Sequence, residues 1–157
     1  MWHDALTFTA ALGSGLIAGA FFAFSTFVMT ALRRRPAAEA MAAMQAINVA
    51  VINPAFLGVF LGTAAMCAVL GVLAVMRWPK PEAGYLLSGA ILYFVGSFLV
   101  TMLANVPLNN ALAKVTPGDT ETERAWTNYL SRWTMWNHVR TAAALTATAA
   151  FILALGA

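Results

Sequence analysis

One short segment of this 157-residue chain gathers most of the side chains able to do chemistry: Trp133, Trp136, Asn137, His138, Arg140 and Thr141. An imidazole titrates near neutrality and can take a proton. Amides can donate to a developing oxyanion, a guanidinium can offset its charge, and indoles can stack on a flat ring. Further amides stand elsewhere: Gln45, Asn48, Asn53, Asn105 and Asn109. At about 100° per residue, Thr134, Asn137, His138, Thr141 and Thr148 form one stripe of a helix, with Arg140 to its side. Tyr93, Ser97, Thr101 and Asn105 recur every four residues and form a second stripe.

The elements that carry these residues are dictated by where charge is missing. The chain is 61% hydrophobic and only 10% charged, and 5–32, 40–76, 83–113 and 141–157 hold no Asp, Glu, Lys or Arg. About 20 apolar residues cross a bilayer, and a charge at its centre costs a few kcal/mol, so the pattern excludes a water-soluble globule. It predicts a single all-α domain, 1–157, an integral membrane four-helix bundle with spans at about 5–32, 54–76, 84–106 and 136–155. A short interfacial helix is expected over 37–51, before Asn53 and Pro54 restart the chain. A separate amphipathic helix over 121–134 should put Trp126, Tyr129 and Trp133 in the interface. Pro107 should break the third span and free backbone carbonyls.

Arg33, Arg34, Arg35, Lys114, Arg124, Arg132 and Arg140 fall on the side of the first and third connections, and Arg77 and Lys80 on the other. That asymmetry predicts an inner-membrane protein with both termini outside. It accounts for the net charge of +3 without a nucleic-acid partner. The opening residues lack a basic signal region, so the first span is expected to be retained. Small residues recur on span one (Thr7, Ala11, Gly15, Gly19, Ala23) and span two (Gly58, Gly62), which suits close helix packing or a homodimer. Asn48, Asn53, Asn105, Asn109, Asn137, His138 and Arg140 then share one depth near the cytoplasmic face and are expected to converge in a pocket. Each has a plainer reading: caps for Asn48 and Asn53, backbone partners for Asn105 and Asn109, an ordinary interfacial histidine bonded to a threonine for His138, a topology anchor for Arg140, and belt residues for the tryptophans.

Absences narrow the chemistry. Cys67 is the single cysteine, so there is no internal disulfide or dithiol pair. The spans carry no carboxylate for a proton relay. His3 is expected on the far side from His138, so a two-histidine iron site is not predicted.

The segments 15–29 (GLIAGAFFAFSTFVM), 44–48 (MQAIN) with Asn53 and Pro54, 105–109 (NVPLN) and 133–141 (WTMWNHVRT) together resemble the anthrone oxygenase-like membrane family. The resemblance implies oxidation of an anthrone-like aromatic by dioxygen in the membrane; because the enolate of such a compound can pass an electron to dioxygen directly, dioxygen is the expected co-substrate and no other cofactor is predicted. On that expectation His138 is the base, Asn137 and Arg140 complete the catalytic set, and Asn48, Asn53, Asn105, Asn109, Trp133, Trp136 and Thr141 bind a small hydrophobic substrate. The alternatives are a haem protein with His138 as axial ligand, and a non-enzymatic small-molecule carrier.

Overall fold

The computed structural model describes residues 2–157, and among them every regular element is helical. Among the described residues four helices are long and apolar enough to cross a membrane: α1 (Trp2–Arg33), α3 (Pro54–Met76), α4 (Pro81–Leu112) and α5 (Thr122–Gly156). Between the first two lies the short α2 (Ala37–Ala50). The protein is a multi-pass helical membrane bundle.

The start of α3 follows from two residues. Asn53 caps it, its Oδ1 accepting from Phe56 N at 3.0 Å, and Pro54 occupies the first turn, where a missing N–H costs nothing. Its end falls at Met76, where the apolar run meets Arg77. Two other expectations are corrected. The amphipathic stretch before the last span is not a separate interfacial helix, because α5 runs unbroken for 35 residues. No glycine or proline interrupts it between Thr122 and Leu155. At 1.5 Å per residue α5 is about 52 Å long, so its first turns project beyond a hydrocarbon layer of about 30 Å. Nor does Pro107 end α4. The helix widens to π-type turns over Leu92–Leu99 and Thr101–Asn105, and Val106 N–H bonds back five residues to Thr101 O. A pyrrolidine ring clashes with the carbonyl four residues earlier in a regular helix, and a wide turn directly before it gives it room.

Packing divides the interior in two. One cluster joins α1, α3, α4 and the second half of α5 around Ile17, Phe60, Leu70, Tyr93 and Phe151. The other seats α2 on the projecting half of α5, with Met41 and Met44 against Trp126, Tyr129 and Trp133. These rings were expected in the headgroup belt; they are buried because α2 covers them. Close approach also uses other glycines than the stripes suggest. A Cβ on Gly96 would stand 2.6 Å from Ala143, and one on Gly89 would stand 2.7 Å from the Phe151 ring, so these glycines let α4 meet α5. Gly19, Gly58 and Gly62 have no such neighbour. Along α4, α3 packs on residues 81–99 and diverges from 101–112. The gap this leaves is where the polar side chains meet.

Candidate functional site

A cavity of about 420 Å³ lies between α1, α2, the start of α3, the second half of α4 and the middle of α5. That size suits a small organic ligand. Its walls are mainly aromatic and aliphatic, with Phe21, Phe24, Phe56, Phe60 and Trp133 among them. Two π-type turns border it, one over Phe24–Val28 in α1 and one over Thr101–Asn105 in α4. Such turns redirect side chains and free backbone carbonyls, and they recur at functional sites.

Arg140 supplies the charge. It is 4% exposed and lines the cavity. Its Nη1 donates to Thr101 Oγ1 at 3.1 Å and its Nη2 to Asn137 Oδ1 at 2.7 Å. The guanidinium carbon sits 4.1 Å from the Phe21 ring centre and 5.2 Å from that of Trp133. Among the described residues no carboxylate pairs with it, and no Asp or Glu lines the cavity. A buried cation normally has a counterion, because burial without one is costly. Its Nε, the Trp133 Nε1 and the Asn105 Oδ1 are buried without a hydrogen-bond partner, so two donors and one acceptor on lining residues stand unmatched.

Asn137 is fully buried behind Arg140 rather than in the cavity wall. Its Nδ2 donates to Phe21 O and to Ser25 Oγ, both at 2.8 Å. Thr141 Oγ1 donates to the Asn137 carbonyl at 2.8 Å and lies 3.0 Å from Ser25 Oγ. With the threonine proton thus used, Ser25 donates to Thr141, and the hydroxyls close a ring that locks the amide.

A second polar group stands towards α2. Tyr129 Oη donates to Asn109 Oδ1 at 2.8 Å, and Asn48 Nδ2 reaches the same phenol at 3.4 Å. Gln45 Nε2 donates to Leu112 O and Val115 O, both at 2.9 Å, and so ties α2 to the end of α4. At the open edge Val49 and Ile52 are 74% and 71% exposed, beside the exposed Met102.

Of the residues expected to converge, Asn48, Asn105, Asn109, Trp133 and Arg140 line the cavity. Asn105 also donates from Nδ2 to Trp133 O at 3.2 Å. Asn137 and Thr141 form the layer behind. Asn53 does not join them and caps α3, its Nδ2 donating to Ala50 O at 2.9 Å. Trp136 is half-buried and outside the lining. His138 points out of the bundle on the exposed face of α5, and among the described residues no histidine lines the cavity. The reason is rotational: Asn137, Arg140, Thr141 and Ala144 face inward, and the next residue after Asn137 is turned about 100° away. The phenylalanines and Ser25 carried no sequence signal for the site; Thr101 was visible only as a member of the α4 stripe.

A family model described as anthrone oxygenase matches residues 56–150, which contain Thr101, Asn105, Asn109, Trp133, Asn137 and Arg140. No curated protein and no solved structure matches the chain.

Proposed function

The chain belongs to the anthrone oxygenase family, and on that premise we propose that it oxidises a planar, bilayer-dissolved aromatic ketone of the anthrone type with dioxygen. The observation that carries the reading is Arg140, a buried guanidinium without a carboxylate at the wall of an aromatic cavity. An anthrone has a benzylic CH2 conjugated to its carbonyl through the rings, so loss of one proton gives an enolate whose negative oxygen suits that cation. Phe21, Phe24 and Trp133 supply ring faces for the tricycle.

His138 faces away, so in this reading the base is water admitted to the cavity, where Gln45, Asn48 and Asn110 are among the polar lining residues. Arg140 does its work by stabilising the product of that proton loss. The enolate passes one electron to dioxygen, and the resulting pair of radicals combines to form a carbon–oxygen bond. The peroxide takes up a proton and then loses water, leaving a carbonyl where the CH2 stood. One oxygen atom enters the product, the other leaves as water, and all four electrons come from the substrate. Substrate enters through the edge formed by Val49, Ile52 and Met102, which face acyl chains in a membrane. The charge asymmetry of the connections supports a reading in which this end of the bundle lies in the cytoplasmic leaflet.

The test is oxygen uptake with an anthrone in membranes containing the protein. Arg140→Gln, checked for an unchanged helical spectrum, is expected to lower kcat/KM by about 100-fold or more, the usual effect of removing an oxyanion donor. Undiminished uptake overturns the reading.

A further inference from the structure

The partners of Asn137 fix which way its amide points. Phe21 O can only accept and the Arg140 guanidinium can only donate, so Nδ2 faces α1 and Oδ1 faces Arg140. An aspartate there would occupy almost the same volume and set a carboxylate about 2.7 Å from Nη2, giving Arg140 a counterion. The sequence has a neutral amide instead. The six acidic residues lie elsewhere: Asp4, Glu39, Glu82, Asp119, Glu121 and Glu123. Two of them have arginine partners of their own, Glu39 with Arg35 and Glu82 with Arg77. Around the cavity every oxygen that meets the guanidinium, from Thr101 or Asn137, is uncharged.

We propose that Asn137 is a positioning residue that holds Arg140 against the cavity while leaving its charge uncompensated, so that the site selects planar aromatic anions over neutral molecules of the same shape. The protein supplies geometry and the ligand supplies the counterion. The closed ring through Ser25 and Thr141 prevents the amide from rotating to present its NH2 to the guanidinium. The inference shares Arg140 with the proposed oxygenase reaction, in which the anion is the enolate, but it concerns equilibrium binding and is read without turnover.

The experiment uses the full chain in neutral phosphatidylcholine nanodiscs, with anthracene-9-carboxylate and its uncharged analogue anthracene-9-carboxamide as probes and quenching of tryptophan fluorescence as the signal. The native protein is expected to bind the carboxylate at least tenfold more tightly than the amide. Asn137→Asp should erase that preference, weakening the carboxylate at least tenfold and leaving the amide within about twofold. Asn137→Leu adds no charge, so it should retain part of the preference. A purely structural brace predicts the opposite pattern, with Asn137→Leu the more damaging change and Asn137→Asp neutral towards the carboxylate. Equal affinity for the two probes in the native protein overturns the proposal, as does an Asn137→Asp protein that keeps the preference. If Asn137→Asp does not fold, native protein against Arg140→Met decides, because the preference must vanish with the guanidinium. Loss of oxygen uptake alone, with carboxylate selectivity intact, would sink the oxygenase reading and leave this one standing.

Discussion

The guanidinium carbon of Arg140 lies 4.1 Å from the centre of the Phe21 ring, joining the last span to the first through the face of an aromatic. A ring quadrupole attracts a desolvated cation by about 2 kcal/mol. The same residue offers its backbone carbonyl to Asn137, so one position on α1 supports both the charge and the amide that steadies it. Phe21→Leu keeps that carbonyl and much of the volume but removes the ring face. We expect a loss of about 1–2 kcal/mol in thermal unfolding. Oxygen uptake with an anthrone should fall about tenfold, as the guanidinium loses its position. A melting curve and uptake rate equal to the native ones would show that the ring is a spectator.

His138 stands on the exposed side of α5, turned away from the cavity. His138→Ala is therefore expected to leave oxygen uptake within about twofold of the native rate. Collapse of the rate in a folded His138→Ala protein would restore the imidazole as the base and require α5 to rotate during turnover.

Gln45 holds α2 over the cavity through two backbone carbonyls near the end of α4. Replacing it with Leu leaves Leu112 O and Val115 O without that donor, at a cost of about 1–3 kcal/mol. The half-buried site lets water recover part of this. Amide hydrogen exchange should quicken across Ala37–Ala50 and stay unchanged in α3. Exchange in α2 as slow as in the native chain would mean that Met41 and Met44 alone seat the helix.

The spans were legible because the hydrocarbon excludes charge, and α3 could be drawn at its true limits since Asn53, Pro54 and Arg77 mark both ends. Asn48, Asn105, Asn109 and Arg140 were legible as a group because topology alone puts them at one depth. Their facing was not. A helical wheel gives angles between residues but no inward direction; packing of Ala144 and Phe151 sets that direction, and it leaves His138 outside. The cavity phenylalanines were invisible for a different reason. Phe21 is buried while Phe22 and Phe27 on the same helix are exposed, and in lipid both kinds of position favour the same side chain. Burial of Trp126 and Tyr129 depends on α2 folding back over them, a long-range contact that the periodicity of α5 does not encode.

The divergence of α3 from the second half of α4 gives the cavity a side door, edged by Val49, Ile52 and Met102. A ligand using it is counted in molecules per lipid, not per litre of water, so its oil–water partition coefficient multiplies its apparent affinity. Diluting the same sample with empty vesicles or micelles should then lower the rate at a fixed, subsaturating amount of substrate and raise the apparent KM expressed as total substrate concentration. A poor ring compound in water can accordingly be a good one at this door.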